Sequence, residues 1–174
     1  MASYKDAIVP GGVPAQKRKG AKKMIYIGVD PGATGAIAAV NVDEDVLIAD
    51  FNPGEVLRFL EGVVLEDVCR AVIEKVGSMP KQGVSSTFKF GANYGWWQGV
   101  FYCLKIPYEL ITPQRWQKEI FDSATKGKDR KQMSLEMARR LFPRQTHMLV
   151  RKKDNGRADA LLIAEYCRRI WARR

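Results

Sequence analysis

The chain has 174 residues, 46% of them hydrophobic and 28% charged, and its 29 Lys and Arg against 19 Asp and Glu give a formal net charge of +10 and a pI near 9.7. That size and balance belong to one globular domain large enough to bury a core. They exclude a membrane span, because the best apolar run, Gly95 to Leu104, is half the ~20 residues a bilayer requires. A secretory leader is excluded too, because the first 23 residues lack an apolar core. Cys69, Cys103 and Cys167 lie far apart in apolar stretches and read as small core residues in a reducing compartment. Charge is unevenly spread. Residues 1–23 carry six Lys or Arg against one Asp, residues 24–112 six against eleven acids, and residues 113–174 seventeen against seven. Such basic flanks favour a polyanionic partner, nucleic acid first, and the acidic centre asks for a separate explanation.

Met1–Lys23, with its PGGVPAQKRKGAKK run, has no periodicity and reads as a disordered basic arm, so the folded domain is expected over residues 24–174. Met24–Asp30 reads as a strand, PGATG as a tight turn, Ala36–Val42 as a second strand, residues 43–45 as a turn and Val46–Asp50 as a third strand, together an antiparallel meander. Pro53 opens a helix to about Leu65 with Val56, Leu57, Leu60, Val63 and Val64 on one face. Cys69–Glu74 is a fourth, buried strand. A long loop, KVGSMPKQGVSST, then leads to a helix through GANYGWWQGVFYCL. Pro107–Ile111 is a fifth short strand, and Thr112-Pro113 starts a helix with Thr as cap and Pro at its first position. A helix over about Asp129–Phe142 is stopped by Pro143. The last, from about Gly156 to Trp171, carries Leu162, Ile163, Tyr166, Cys167 and Ile170 on one face. The order describes an α/β protein with a five-stranded mixed sheet flanked by helices.

Two of these strands end in a carboxylate, Asp30 in IYIGVD and Glu74 in AVIE. If the first and fourth strands are neighbours, the two side chains meet at one edge of the sheet. Asp159 shares a helical face with Leu162, Ile163, Tyr166 and Ile170, so it too must meet something inside. Asp154 falls at the helix start, where it either joins these acids or caps the helix. Clustered carboxylates repel unless a cation neutralises them, and hard oxygen donors suit Mg²⁺ or Mn²⁺. Two such ions can activate a water and stabilise the leaving oxygen of a phosphodiester. The lone His147, in a Pro, Arg and Gln-rich loop, is given no metal role.

The runs IGVDPGATGAIA, AVIE, GWWQGV, ITPQRWQK, KDRKQMSLEMARRLFP and RKKDNGRADALLIAEY occur in the order seen in RuvC-type Holliday-junction resolvases, which the chain resembles from Met24 to its C-terminus. The resemblance is strongest to the plastid branch, which carries a similar Lys-Lys-Asp-His-Gly-Arg-Ala-Glu-Ala-Leu-Leu-Ile-Ala run. It implies an RNase-H-like fold, a homodimer, and symmetric nicking of a four-way DNA junction with two Mg²⁺ per active site, Mn²⁺ being expected to substitute. By the same resemblance Asp30 and Glu74 match the family's strand acids, Asp159 the acid of its last helix, and Lys131 a lysine that assists at the scissile phosphate. One position departs from the pattern. Where the plastid branch has His before the glycine, and other branches have Asp nearby, this chain has Asn155. An amide oxygen can ligate but neither neutralises charge nor takes a proton, so either Asn155 is a weaker ligand, or the neighbouring Asp154 is recruited, or the second metal site is impaired; Asp154 is the favoured reading.

Among the DNA contacts, the loop after Glu74 supplies Met79, Lys81, Gln82, Lys89 and Phe90; in the RuvC pattern this region probes the junction centre, where apolar wedges unstack bases. Lys126, Lys128 and Arg130 on one side, and Arg151, Lys152 and Lys153 on the other, bracket the acids and suit converging phosphates. Trp96 and Trp97, adjacent on a helix, cannot face the same way, and are expected to divide between core and interface. The expected function is metal-dependent resolution of four-way junctions; the alternative, motivated by Asn155, is a junction-binding protein that does not cut. Expected partners are branched DNA and a second copy of the chain, with no membrane and no small-molecule cofactor. The expected location is the cytoplasm of a bacterial or phage-infected cell, or alternatively an organelle nucleoid. A phosphotransferase of the sugar-kinase and actin type also pairs an Asp with glycines in its first hairpin, but needs a second similar half for which this length leaves no room.

Overall fold

The computed structural model describes residues 23–32, 34–43, 45–64, 68–75, 77, 83–121 and 129–173. The basic arm up to residue 22, and Met79, Lys81, Gln82, Lys126 and Lys128 among the expected DNA contacts, lie outside the described residues.

Five strands, β1 (Met24–Asp30), β2 (Ala36–Asn41), β3 (Val46–Asp50), β4 (Val68–Glu74) and β5 (Tyr108–Ile111), form one sheet in the order β3-β2-β1-β4-β5. The first three make the expected antiparallel meander, while β4 pairs parallel to β1 and β5 parallel to β4. The mixed α/β sheet is therefore as the sequence indicates. Among the described residues five α-helices surround it: α1 (Pro53–Val64), α2 (Val84–Cys103), α3 (Pro113–Ile120), α4 (Arg130–Leu141) and α5 (Asn155–Ala172), with a 3-10 helix at Pro143–Met148 and a 3-10 turn at Lys152–Asp154. Pro113 opens α3 as expected, although the Thr112 hydroxyl makes no cap hydrogen bond. Among the described residues no helix is long and apolar enough to cross a membrane.

Strand side chains alternate between two faces, and this divides the core. Ile27, Val29, Ile37, Ala39, Ala71 and Ile73 turn to one face, covered by Val56, Leu60 and Val63 of α1 and by Trp97 and Phe101 of α2. Tyr26, Ala36, Ala38, Val40 and Val72 turn to the other, beneath α5, with α3 and α4 packed beyond it. Because α5 lies between the sheet and those two helices, it is buried on nearly every side from Ala158 to Cys167, and not along one stripe only. Glu165 in that stretch is compensated by Arg168 and Arg169 at 2.7 and 2.8 Å.

The contact of α5 with β1 is backbone on backbone. A Cβ placed on Gly28 would fall 2.2 Å from the amide nitrogen of Ala164 and 2.3 Å from the carbonyl oxygen of Ala160. Small residues opposite it, Ala158, Ala160 and Ala164 on α5 and Ala36 and Ala38 on β2, extend the close approach.

Three local expectations are corrected. The second helix begins at Val84, inside the segment read as loop, because its first two turns are solvent-exposed and so carry no apolar period to betray them. Cys103 is exposed near the end of α2 while Cys69 and Cys167 are buried. Leu57 faces outward at 42% exposure, at the margin of the apolar face of α1.

Candidate active site

The β1–β4 register pairs Val29 with Ile73, so Asp30 and Glu74 are the next residues on two parallel neighbours and stand at the same level of the sheet. By parity they follow Gly28 and Val72 and so turn to the α5 face. There α5 supplies Asp159. The start of α5 presses on the β1–β2 turn, since a Cβ on Gly156 would meet the Thr34 carbonyl oxygen at 2.2 Å and Asp30 Oδ2 at 3.3 Å. Topology thus brings to one place three acids separated by up to 129 positions in the chain.

Each of these acids is held by neutral donors. Asp30 Oδ1 accepts the N–H of Gly32 at 2.9 Å. Glu74 Oε1 accepts the indole N–H of Trp116 at 2.8 Å. Asp159 lies beside the Ser134 hydroxyl and the Asn155 carboxamide, both of which act to lower its carboxyl. Burial is the main influence on all three and pushes each carboxyl upward; for Asp30 the Gly32 N–H acts in the opposite direction. Glu74 and Asp159 are both raised to about 7, with the charge of Asp30 adding to the shift of both and that of Glu74 to the shift of Asp159. Among the described residues Arg130 opposes the shift at Glu74, as the smallest of its influences.

Partly accessible oxygen donors with unbalanced negative charge fit a hard divalent cation. Among the described residues no three His, Cys, Asp or Glu side chains form a ready-made cage for a single ion. An ion of the Mg²⁺ type does not require one: it takes one or two carboxylates and completes its shell with water and phosphate oxygens.

A pH dependence follows with a definite sign. Raised carboxyls keep protons in the folded chain that the unfolded chain has already released, so without divalent ions stability falls as pH rises from about 5 through 7, then levels off. Asp50 and Asp154, whose carboxyls are lowered by Arg157 and Arg151, act oppositely, and their contribution is lost only as pH falls below the ordinary carboxylate range. In EDTA the melting temperature should drop by about 5 °C between pH 5.5 and 8, and Mn²⁺ should abolish the drop. A melting temperature in EDTA that is flat across this range would show that the acids are not buried as the structure places them.

Asp154 is paired with Arg151 and is not among the charges that shift Asp30, Glu74 or Asp159. Its carboxylate accepts the Arg151 N–H at 2.8 Å and pairs with the Arg151 guanidinium at 2.9 Å. It sits in a cleft lined also by Asp50, Phe51, Lys153 and Arg157. Asn155 is the residue that reaches Asp159, because the first turn of α5 sets residues i and i+4 on one face. Lys131 is exposed in the first turn of α4 beside Asp129. Lys152 is paired with Asp129 at 3.2 Å, and Lys153 is exposed in the Asp154 cleft. On α2, Lys89 is exposed but Phe90 is half-buried; the outward aromatic next to Lys89 is Phe88, at 76% exposure. Trp97 is fully buried and Trp96 half-buried, each packed against Phe51 with ring centroids 5.4 Å apart. His147 is exposed in the 3-10 helix after α4.

Three residues that hold this site escaped sequence reasoning. Trp116 reads as an ordinary apolar helix position, and nothing in its type signals a bond to Glu74. Ser134 did leave a signal, since it interrupts the inward face of α4 that Leu135, Met137 and Ala138 otherwise fill. Asn93 sits on α2 and donates to the carbonyls of Pro31 and Gly32 in the turn beside Asp30.

Sheet order and helix placement define an RNase-H-like fold. Over 86% of its length the chain superposes on RuvC of T. thermophilus in complex with a Holliday junction substrate, covering 95% of that chain with a TM-score of 0.56 at 16% identity. A second structure of Thermus thermophilus RuvC gives a TM-score of 0.51 at 19% identity, covering 86% of this chain and 96% of that one. In sequence the chain is similar to the chloroplastic Holliday junction resolvase of Chlamydomonas reinhardtii, 35% identical over 88 residues, which is 51% of this chain. The aligned part spans only 10% of that relative's length. No family model matches. The plastid resemblance seen in the motifs and the RuvC fold therefore stand on separate comparisons.

Proposed function

We propose that the chain is a structure-selective DNA endonuclease that resolves four-way junctions by symmetric, metal-dependent phosphodiester hydrolysis. The observation that carries this reading is the convergence of Asp30, Glu74 and Asp159 at one end of the sheet, beside neutral donors among the described residues. The fold shared with RuvC and the sequence similarity to a chloroplastic resolvase support it.

In this reading Asp30, Glu74 and Asp159 hold divalent ions, with Asn155 offering its amide oxygen in place of an acid. Bound Mg²⁺ supplies an activated water and stabilises the charge developing on the leaving oxygen. The chain's own groups do the rest. Trp116, Ser134 and the Gly32 N–H each occupy one side of an acid and so restrict its orientation. Lys131, Arg130 and Lys153 offer positive charge to the phosphates. Four-way symmetry demands two coordinated cuts, so the acting form is a two-fold dimer. The chloroplastic relative supports an organelle nucleoid in preference to a bacterial cytoplasm.

Asn155 also supports a second reading, a junction-binding protein without nuclease activity. One assay separates the two: synthetic four-way junctions with varied core sequences, incubated with Mg²⁺, Mn²⁺ or EDTA beside linear duplex. Paired, symmetric nicks that need the ion and spare the duplex are the expected result. Tight binding with no nicks in either ion would leave the binding protein.

A further inference from the structure

Asn93 lies on α2, 62 residues from the turn it touches. Its Nδ2 donates to the Pro31 carbonyl at 2.9 Å and to the Gly32 carbonyl at 3.1 Å. The Gly32 carbonyl also accepts the Gly35 N–H at 3.0 Å, which closes the turn, and the Gly32 N–H binds Asp30 Oδ1 at 2.9 Å. One peptide group is therefore gripped from α2 on its neighbour's and its own oxygen, while its nitrogen grips the carboxylate. The other end of the same side chain argues against a purely structural role. Asn93 Oδ1 is buried with no hydrogen-bond partner. Burying an unpaired acceptor costs about 1–3 kcal/mol, which offsets much of what the two donor bonds contribute to stability. What only the amide provides is the pair of donors on the turn.

We propose that Asn93 is a positioning residue for Asp30: by tying the β1–β2 turn to α2 it fixes the carboxylate for the divalent ion. This rests on the metal-dependent reading of the site. Loss of a group that orients a metal-binding carboxylate typically weakens the ion by about 10–100-fold.

Asn93→Asp keeps size and loses both donors; Asn93→Leu also removes the orphan acceptor. Ion binding is read without activity, from the rise in melting temperature during a Mn²⁺ titration of the full chain in the absence of DNA. Both variants should need at least about tenfold more Mn²⁺ than the wild type. Asn93→Leu should melt, free of ions, within a few degrees of the wild type. On junction substrate kcat should fall with KM within about twofold, because the turn orients the ligand and not the DNA. A Mn²⁺ midpoint equal to that of the wild type in Asn93→Leu overturns the proposal. So does a large loss of ion-free melting temperature in both variants, which would make Asn93 a fold residue. A wild-type chain indifferent to Mn²⁺ refutes the metal reading itself, and that result is visible before any variant is made.

Discussion

Asp30→Asn should leave a chain that binds four-way junctions at near wild-type affinity and cuts them about a thousandfold more slowly or worse. The substitution preserves volume, and the amide oxygen can still accept the Gly32 N–H, so the turn should keep its shape. What disappears is the negative charge that would hold the ion. Losing roughly 4 kcal/mol of the stabilisation an ion provides to developing charge corresponds to about three decades in rate. The same change should raise the melting temperature in EDTA, because Glu74 and Asp159 lose a repelling neighbour. Single-turnover cleavage, a binding titration and a melting curve together give a pattern that general unfolding cannot mimic. Cleavage at the wild-type rate would remove Asp30 from the site.

Gly28→Ala should be among the most damaging single methyls in the described core. Its Cβ would stand 2.2, 2.3 and 2.7 Å from backbone atoms of Ala164, Ala160 and Ile163, and a helix backbone cannot swing aside as a flexible side chain can. Relief requires α5 to lift from β1 and β2, opening the small-residue seam along its length. Overpacking of this kind costs about 3 kcal/mol or more, which for a chain of this size lowers the melting temperature by roughly 6–12 °C. Activity should suffer beyond stability, because Asp159 rides on α5 and Asp30 is two residues from Gly28. A displacement of about 1 Å between reacting groups can cost on the order of a hundredfold. Cleavage measured well below the variant's melting temperature would expose that second effect. A melting temperature within about 2 °C of the wild type would mean that α5 does not sit this close.

The strands were legible because each is short, apolar and bounded by Gly, Pro, Asn or Asp, and the five appear where those signals put them. Helix ends marked by chemistry, Pro53, Pro113 and Pro143, were equally plain. The start of α2 was not: Val84–Phe90 is helical but packs against little, and Ser85, Ser86 and Thr87 look like loop when no buried face imposes a period. Asp30, Glu74 and Asp159 stood out because a carboxylate on an otherwise apolar strand or helix face needs a reason. Whether the three meet was beyond local pattern, since that depends on β4 pairing parallel to β1 in register and on α5 lying across both.

By itself the sequence determined the element types, the alternation of faces and the presence of acids at inward positions, all of which are set by neighbours a few residues away. Tertiary structure alone decided that the three acids meet, whereas the Asn155–Asp159 and Arg151–Asp154 contacts are local to the start of α5. It also decided that Trp116, Ser134 and Asn93 hold the site. A hydrogen bond between residues tens of positions apart leaves no periodicity in the chain, so only the packed fold could reveal it.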